Sequence, residues 1–332
     1  MNRTLPVLSR RRLVAAAAAC AALCAGHAHA SDEWPTRPVR IVIAVGPGSS
    51  GDTLARMLAP RLEQLWKQPV IVENKPGAGG VVGTEYAIHA NDGHTLLLAS
   101  QSSYLPKYTQ KNLRYDPLTD LVPIYRMINW QMVIVTNAET ARQARTFPEI
   151  LKLAASKDQG LFFSGTGITS IFNIQMALVN QPFGMKYTTV DFNNVGAMNM
   201  AVLRNDAQLL INAPSSVRAH FETGALVPLA AVSRERYADL PNVPAVAELP
   251  GFKGYLPIVW HGMVAPKGMP RAAIERIARD LNLVLQNPEL KRTIETQLSG
   301  VVQQSSPQAF AKDLEEEARV FGELLAKVEK RD

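Results

Sequence analysis

Cysteine is nearly absent. The 332-residue chain has two, Cys20 and Cys24, both in its first thirty residues. From residue 31 onward there is no thiol, which excludes disulfides, a thiol nucleophile and sulfur ligation of a metal there. Long apolar runs are missing too. The longest, Leu13 to Ala25, has 13 residues, short of the roughly 20 that a membrane-spanning helix needs. Nor is there much excess of one charge. The formal net charge is +6, but the charges in residues 1–30 are all arginine (Arg3, Arg10, Arg11, Arg12), and without them 31 basic residues face 29 acidic ones. A nucleic-acid partner therefore has no electrostatic footprint. With 47% apolar and 19% charged residues, disordered, collagenous and coiled-coil readings fail, and the length suits two domains or one large one.

What is present begins with an export signal. Arg10-Arg11-Arg12, a short alanine-rich apolar core and Ala28-His29-Ala30 form the secretory pattern, with cleavage expected after Ala30 and a bacterial periplasm as the destination. Ser9-Arg10-Arg11 partly matches a twin-arginine signal, so the export route stays open. Neither cysteine has leucine three residues before it, which argues against a lipid-attachment box.

The rest of the chain reads as two α/β halves. VRIVIAV (39–45) is a continuous β-branched run, followed by GPGSSG (46–51) and DTLARMLAPRLEQLW (52–66), then PVIVE (69–73). Leu54, Met57, Leu58, Leu62 and Leu65 share a helical face, Pro60 threatens a kink, and Asp52 suits the helix start. Strand, turn, helix and strand in that order begin a parallel sheet. GLFFSGTGITS (160–170) repeats the strand-then-glycine-turn opening. Two extended stretches, 124–138 and 258–266, are long enough to cross between the halves.

GPGSSG satisfies G-x-G-x-x-G after a strand and before a helix, and Glu73 ends the next strand, as a dinucleotide fingerprint asks. An exported oxidoreductase using a nicotinamide cofactor is therefore an alternative. Against it, Asp52 sits where pyrophosphate would approach, and no hydride-transfer constellation follows. The turn also reads as a generic anion seat of outward backbone N–H groups, or as a tight turn without a ligand. SGTGITS (164–170) supplies a second glycine and hydroxyl turn. Two such turns, one per domain, would clamp a small acid.

Other chemistry finds little support. His89 and His94 flank an Asn-Asp-Gly turn rather than sharing a helix face, so no metal site is expected. G-x-S-x-G is absent, which removes the serine-hydrolase elbow. No cofactor and no enzymatic activity are expected. Glu315-Glu316-Glu317 reads as a solvated helix face. Trp260 and Phe192 could stack on an aromatic ligand or belong to the core.

The ordered series WPTRPVRIVIAVGPGSSGDTLARML, ENKPGAGG, DGHTLLLAS, LRYDPLTDLVPI, FSGTG, LPNVPAVAELPGF and VWHGMVAPKGMP resembles the substrate-binding proteins of tripartite tricarboxylate transporters, the Bug-type solute receptors, over residues 34–330. The resemblance implies an α/β, two-domain periplasmic-binding-protein fold of the Venus flytrap, type II-like kind, hinged and closing on a ligand. The expected units are a signal peptide at 1–30, domain I at 31–135 plus 258–300, domain II at 136–257, and a C-terminal helix, 301–332, packing back on the body. It implies a monomer that takes a small carboxylate (an organic acid, aromatic or amino acid) and delivers it to membrane permease subunits, with a membrane sensor as the alternative recipient. By residue match the carboxylate is held by Gly48, Ser49, Ser50 and Asp52, by Ser100 and Gln101, and by Ser164, Thr166 and Gly167. Departures from the family pattern fall at Ile168, at Gln208, at His261 where an aromatic is common, and at Asp191, whose carboxylate could pair a ligand ammonium.

Overall fold

The structure, a computed structural model, describes residues 34–328 except 111, 168 and 169. The expected export signal and its cleavage after Ala30 lie outside the described residues, as does the candidate Ile168. Among those described, the strands in chain order are β1 (Val39–Ile43), β2 (Val70–Asn74), β3 (Thr95–Ala99), β4 (Leu121–Trp130), β5 (Val133–Asn137), β6 (Leu161–Gly165), β7 (Tyr187–Asp191), β8 (Leu209–Asn212), β9 (Leu226–Ala231), β10 (Trp260–Pro266) and β11 (Gly300–Val302). The helices that bear on the site are α1 (Ser50–Trp66), α2 (Ile171–Asn180), α3 (Val195–Leu203), α4 (Pro214–Glu222) and α5 (Pro307–Val328).

Two sheets divide these strands. One has the order β11-β4-β10-β3-β1-β2 and the other β7-β6-β8-β5-β9. β1 is parallel to β2 and β3, while β10 runs antiparallel to β3 and β4. Apart from Arg40, β1 is buried, because core clusters form on both of its faces. Strands covered on both sides read as continuous apolar runs, so VRIVI was legible. α1 starts where Ser49 accepts the Asp52 N–H and ends at Lys67 in the left-handed conformation (φ 55°). Its buried face is Leu54, Leu58, Leu62 and Trp66. Leu65, expected on that face, is 37% exposed, since the i, i+4 series runs into Trp66 instead. The helix continues through Pro60.

The stretch 124–138, expected as one extended crossing, is two strands in different sheets. The chain leaves the first sheet after Trp130 and enters the second at Val133, earlier than the boundary expected after residue 135. It returns through Pro257–Val259 into β10. The Trp130 N–H donates to the Val259 carbonyl at 2.7 Å and the Gln131 N–H to the Ser299 carbonyl at 2.9 Å, so the two crossings are tied to each other. Gln101 Nε2 donates to the Ile258 carbonyl from the first sheet's side, and Gln175 Nε2 to the Pro257 carbonyl from the second's.

α5 carries a correction. Glu315 and Glu316 are exposed, but Glu317 is buried. Its Oε2 accepts the Trp260 indole N–H at 2.9 Å and Gln101 Nε2 at 3.4 Å. Trp260 is 1% exposed and packs edge-on against Tyr104 and Phe310, so it is a core residue. Phe192 likewise packs against the second sheet's core. Burial pushes the Glu317 carboxyl up to about 7, against the opposing pull of the Trp260 hydrogen bond. A carboxyl whose folded value is raised contributes stability that is whole below its unfolded value and is lost as pH rises through the folded one. That loss is on the order of 3 kcal/mol between about pH 4.5 and 7. Glu317→Gln is expected to remove this fall. Denaturant unfolding at pH 5 and pH 8 checks it, and equal pH responses of the two proteins would contradict it.

Candidate functional site

Between the two sheets lies a cleft of about 870 Å³. Its first wall is the loop from β1 into α1. Gly48 takes φ +78° with open space where a side chain would stand, so conformation rather than crowding asks for glycine there. The loop is knitted by Asp52, which is 4% exposed. Asp52 Oδ2 accepts the Gly48 N–H at 2.9 Å and Oδ1 accepts Arg56 Nε at 3.0 Å. The Arg56 hydrogen bond, with the Gly48 amide behind it, holds this carboxyl below the usual range in spite of its burial. Asp52 therefore shapes the anion seat from behind and does not line the cleft.

Ser49 and Ser50 do line the cleft. The first two amides of α1, on Ser50 and Gly51, have no acceptor among the described residues, as expected at a helix start. His261 on β10 stands beside them. A Cβ on Gly51 would stand 3.0 Å from His261 Nε2, a tight contact, so glycine here lets the imidazole pack closely on the helix start. The Trp130 indole N–H donates to His261 Nδ1 at 2.6 Å. An indole is a donor only, so Nδ1 is an acceptor and the ring proton sits on Nε2. Burial pushes the imidazole down to about 4, leaving it neutral with its N–H beside the helix start. Ser100 also lines the cleft, its hydroxyl 2.9 Å from that of Ser102. Gln101 reaches the lining as well, with its amide committed to Ile258 and Glu317.

The second wall differs from expectation. Thr166 lines the cleft, but Ser164 is fully buried and its hydroxyl donates to the Met198 carbonyl at 3.0 Å. Alternation along β6 turns Ser164 into the core. The Gly167 N–H donates to Asp191 Oδ1 at 2.8 Å, and the Thr166 N–H to Asn173 Oδ1 at 3.2 Å. Asn173 Nδ2 also reaches Asp191 at 3.2 Å. Asp191 is thus the internal partner of the turn, not a group facing a ligand ammonium, and the Thr166 and Gly167 amides are already occupied.

The second sheet presents helix starts instead. Ile171 and Phe172 open α2, Val195 opens α3, and Ser215 and Ser216 lie in the first turn of α4; all line the cleft. With α1, four helix N-termini face one space, each carrying positive dipole character. No Asp, Glu, Lys or Arg belongs to the lining among the described residues. The arrangement suits an anion held by neutral donors and helix dipoles. Trp130, Asn212 and Ser215 were not singled out from the sequence, and His261 only as a departure from the family pattern. The available signal was the Trp260-His261 alternation in β10, which places one residue on each face of the sheet, and the Ala213-Pro214 helix start after β8.

Similarity to known proteins bears on the same geometry. The family model for the tripartite tricarboxylate transporter family receptor matches residues 54–329. Protein BugT of Bordetella pertussis is 30% identical over 260 residues, covering 77% of this chain and 79% of that protein. Among solved structures, a TctC solute binding protein from Polaromonas superposes with a TM-score of 0.77 at 21% identity, covering 89% of this chain and 99% of that one. MatC from Rhodopseudomonas palustris, solved with bound malate, superposes with a TM-score of 0.69 at 23% identity, covering 88% and 100%. These likenesses show a shared periplasmic-binding-protein fold of the Venus flytrap type.

Proposed function

Because this chain belongs to the tripartite tricarboxylate transporter receptor family, we propose that it captures a small carboxylate in the periplasm and delivers it to the permease of such a transporter. It is a receptor and not an enzyme, which overturns the dinucleotide reading of GPGSSG. The observation that carries the proposal is the start of α1: Ser49, Ser50 and the neutral His261 line a cleft with no charged side chain among the described residues, and the first two amides of the helix have no acceptor there. A carboxylate entering there meets donors that need no rearrangement, and no lining anion repels it.

In this reading the two sheets are the cores of two lobes. The chain passes between them at 131–132 and 257–259, and α5 packs on the first sheet through Phe310 and Leu314 and on α2 through Val320 and Phe321. Closing brings the helix starts of α2, α3 and α4 toward the guest, and ligand contacts to both lobes select the closed form. The receptor works as a monomer, exported with its leader removed after Ala30.

A thermal-shift screen of organic acids tests the proposal, with malate and adipate included and nicotinamide dinucleotides as controls. At least one carboxylate is expected to raise the melting temperature, by stabilising the folded form through binding. Stabilisation by dinucleotides and by no acid would refute the proposal.

A further inference from the structure

The geometry points to Glu317 as a positioning residue for lobe closure: with its proton on, it holds α5 and the second crossing in the lobe-to-lobe tie seen here, and giving the proton up loosens that tie. This rests on the proposed reading of two lobes that close on a guest.

Glu317 is buried and does not line the cleft. It reaches the cleft through one intermediary. Its Oε2 accepts Gln101 Nε2 at 3.4 Å. Gln101 lines the cleft, donates from the same nitrogen to the Ile258 carbonyl at 3.0 Å, and accepts the Trp260 backbone N–H at 3.4 Å. The Trp260 indole N–H also donates to Glu317 Oε2, so one carboxyl oxygen secures the place where the second crossing enters β10. From the other sheet's side, Gln175 Nε2 donates to the Pro257 carbonyl at 2.6 Å. The crossing is thus gripped from both sides at adjacent residues.

α5 joins the same two sides. Phe310 and Leu314 pack with the first sheet, whereas Val320 and Phe321 pack with Ile174 and Leu178 of α2 and with Leu105. Ile171, at the start of α2, belongs to that second cluster and also lines the cleft. Glu317 lies in the helix between the two sets of contacts. Moving the lobes apart carries α2 away from the first sheet, so α5 must part from one set or the other, and either parting admits water to the carboxyl.

Enclosed, the Glu317 carboxyl is pushed up to about 7 by burial. In contact with water it falls back toward the ordinary carboxylate range. The tied form therefore binds the proton more tightly, and by linkage it is favoured below neutrality and loses that advantage as pH rises through about 7. The neighbours do not supply this response. Arg126 on β4 is paired with Asp313 at 2.9 Å, and Glu316 is exposed. Burial holds Tyr104, Tyr108 and Tyr255 above the usual tyrosine range. α2 carries no titratable side chain. His261 is the one titratable group in the cleft lining among the described residues, and burial pushes it down to about 4. A change between pH 6 and pH 8 therefore does not come from the lining.

Small-angle X-ray scattering of the ligand-free protein between pH 6 and pH 8 tests this. The radius of gyration is expected to rise by about 1 Å with a midpoint near neutrality. Glu317→Gln keeps an acceptor for both donors and cannot ionise, so it is expected to stay as compact at pH 8 as the parent at pH 6. Should Glu317→Gln fail to fold, Trp260→Phe carries the test: it removes the indole bond that favours the charged carboxylate and is expected to move the midpoint up by about one pH unit. Titration calorimetry with malate and adipate adds the functional readout, with binding of either expected to weaken about tenfold from pH 6 to pH 8 in the parent and to stay level in Glu317→Gln. A radius that does not change with pH would overturn the inference, as would an equal expansion of Glu317→Gln or an unmoved midpoint in Trp260→Phe. Expansion at high pH in a protein that binds no carboxylate at either pH would support the role of Glu317 and count against the proposed function alone.

Discussion

Ser50→Asp is expected to abolish carboxylate capture while leaving the protein at least as stable. Ser50 is the first residue of α1 and lines the cleft. A carboxylate at this position favours the helix, because it faces the positive end of the dipole, and contributes about 0.3–1 kcal/mol. The same charge stands where the ligand's carboxylate must come. Two unit charges of like sign at about 4 Å repel by roughly 4 kcal/mol at an effective dielectric of about 20. The expected loss of affinity is therefore about a hundredfold or more, with a melting temperature equal to or slightly above that of the parent. Titration calorimetry and a melting curve on one preparation check both halves. Retained affinity would place the anion elsewhere.

Asp52→Ala is expected to act through the loop and not through contact with the ligand. The substitution leaves the Gly48 amide without its acceptor and Arg56 without its main partner. Hydrogen bonds to a buried charged group contribute about 1.5–3 kcal/mol, and breaking a buried pair costs about 3–5 kcal/mol. Arg56 is more than half exposed and regains water, so a stability loss of about 2–4 kcal/mol is expected at pH 7. The pH dependence identifies the cause. The folded-state pKa of Asp52 is lowered, so its contribution is present above the unfolded value and is lost as pH falls through the folded one. Parent and variant should therefore converge in stability as the solution is acidified below about pH 4. A constant gap between pH 7 and pH 3 would show that the Asp52 charge is not what stabilises the loop.

The contrast between Asp52 and Asp191 shows what the sequence could and could not reveal. Ser49 caps α1 and Asp52 closes the loop onto Gly48 within a few residues. Such local pairing leaves a pattern in the chain, so the first seat was legible although the role of Asp52 was not. Asp191 meets Gly167 across 24 positions. That contact exists because β6 and β7 run parallel with Gly165 opposite Asp191, and no local pattern encodes a register between two strands. Ser164 and Thr166 looked equivalent in SGTG, but β6 ends at Gly165, so Ser164 stays in the strand and the core while Thr166 falls in the turn beside the cleft.

The same reasoning accounts for Trp260, His261 and Glu317. Alternation puts the first two on opposite faces of β10, but which face meets the cleft depends on α5 covering the other. α5 does so with Phe310 and Glu317, which take the Trp260 side. His261 is left to the cleft and to Trp130, a residue 131 positions away on the other crossing. Glu317 looked like part of a solvated acidic face because Glu315 and Glu316 are one, and only the packing of α5 separates the third glutamate from its neighbours.

The central claim is that backbone nitrogens at the start of α1, and not a cationic side chain, hold the guest's negative end. A crystal structure of the protein with a bound carboxylate tests it most directly. The account predicts a carboxylate oxygen within about 3 Å of the Ser50 and Gly51 amide nitrogens. A carboxylate paired with a lysine or arginine, or lying outside the space between the two sheets, would contradict it.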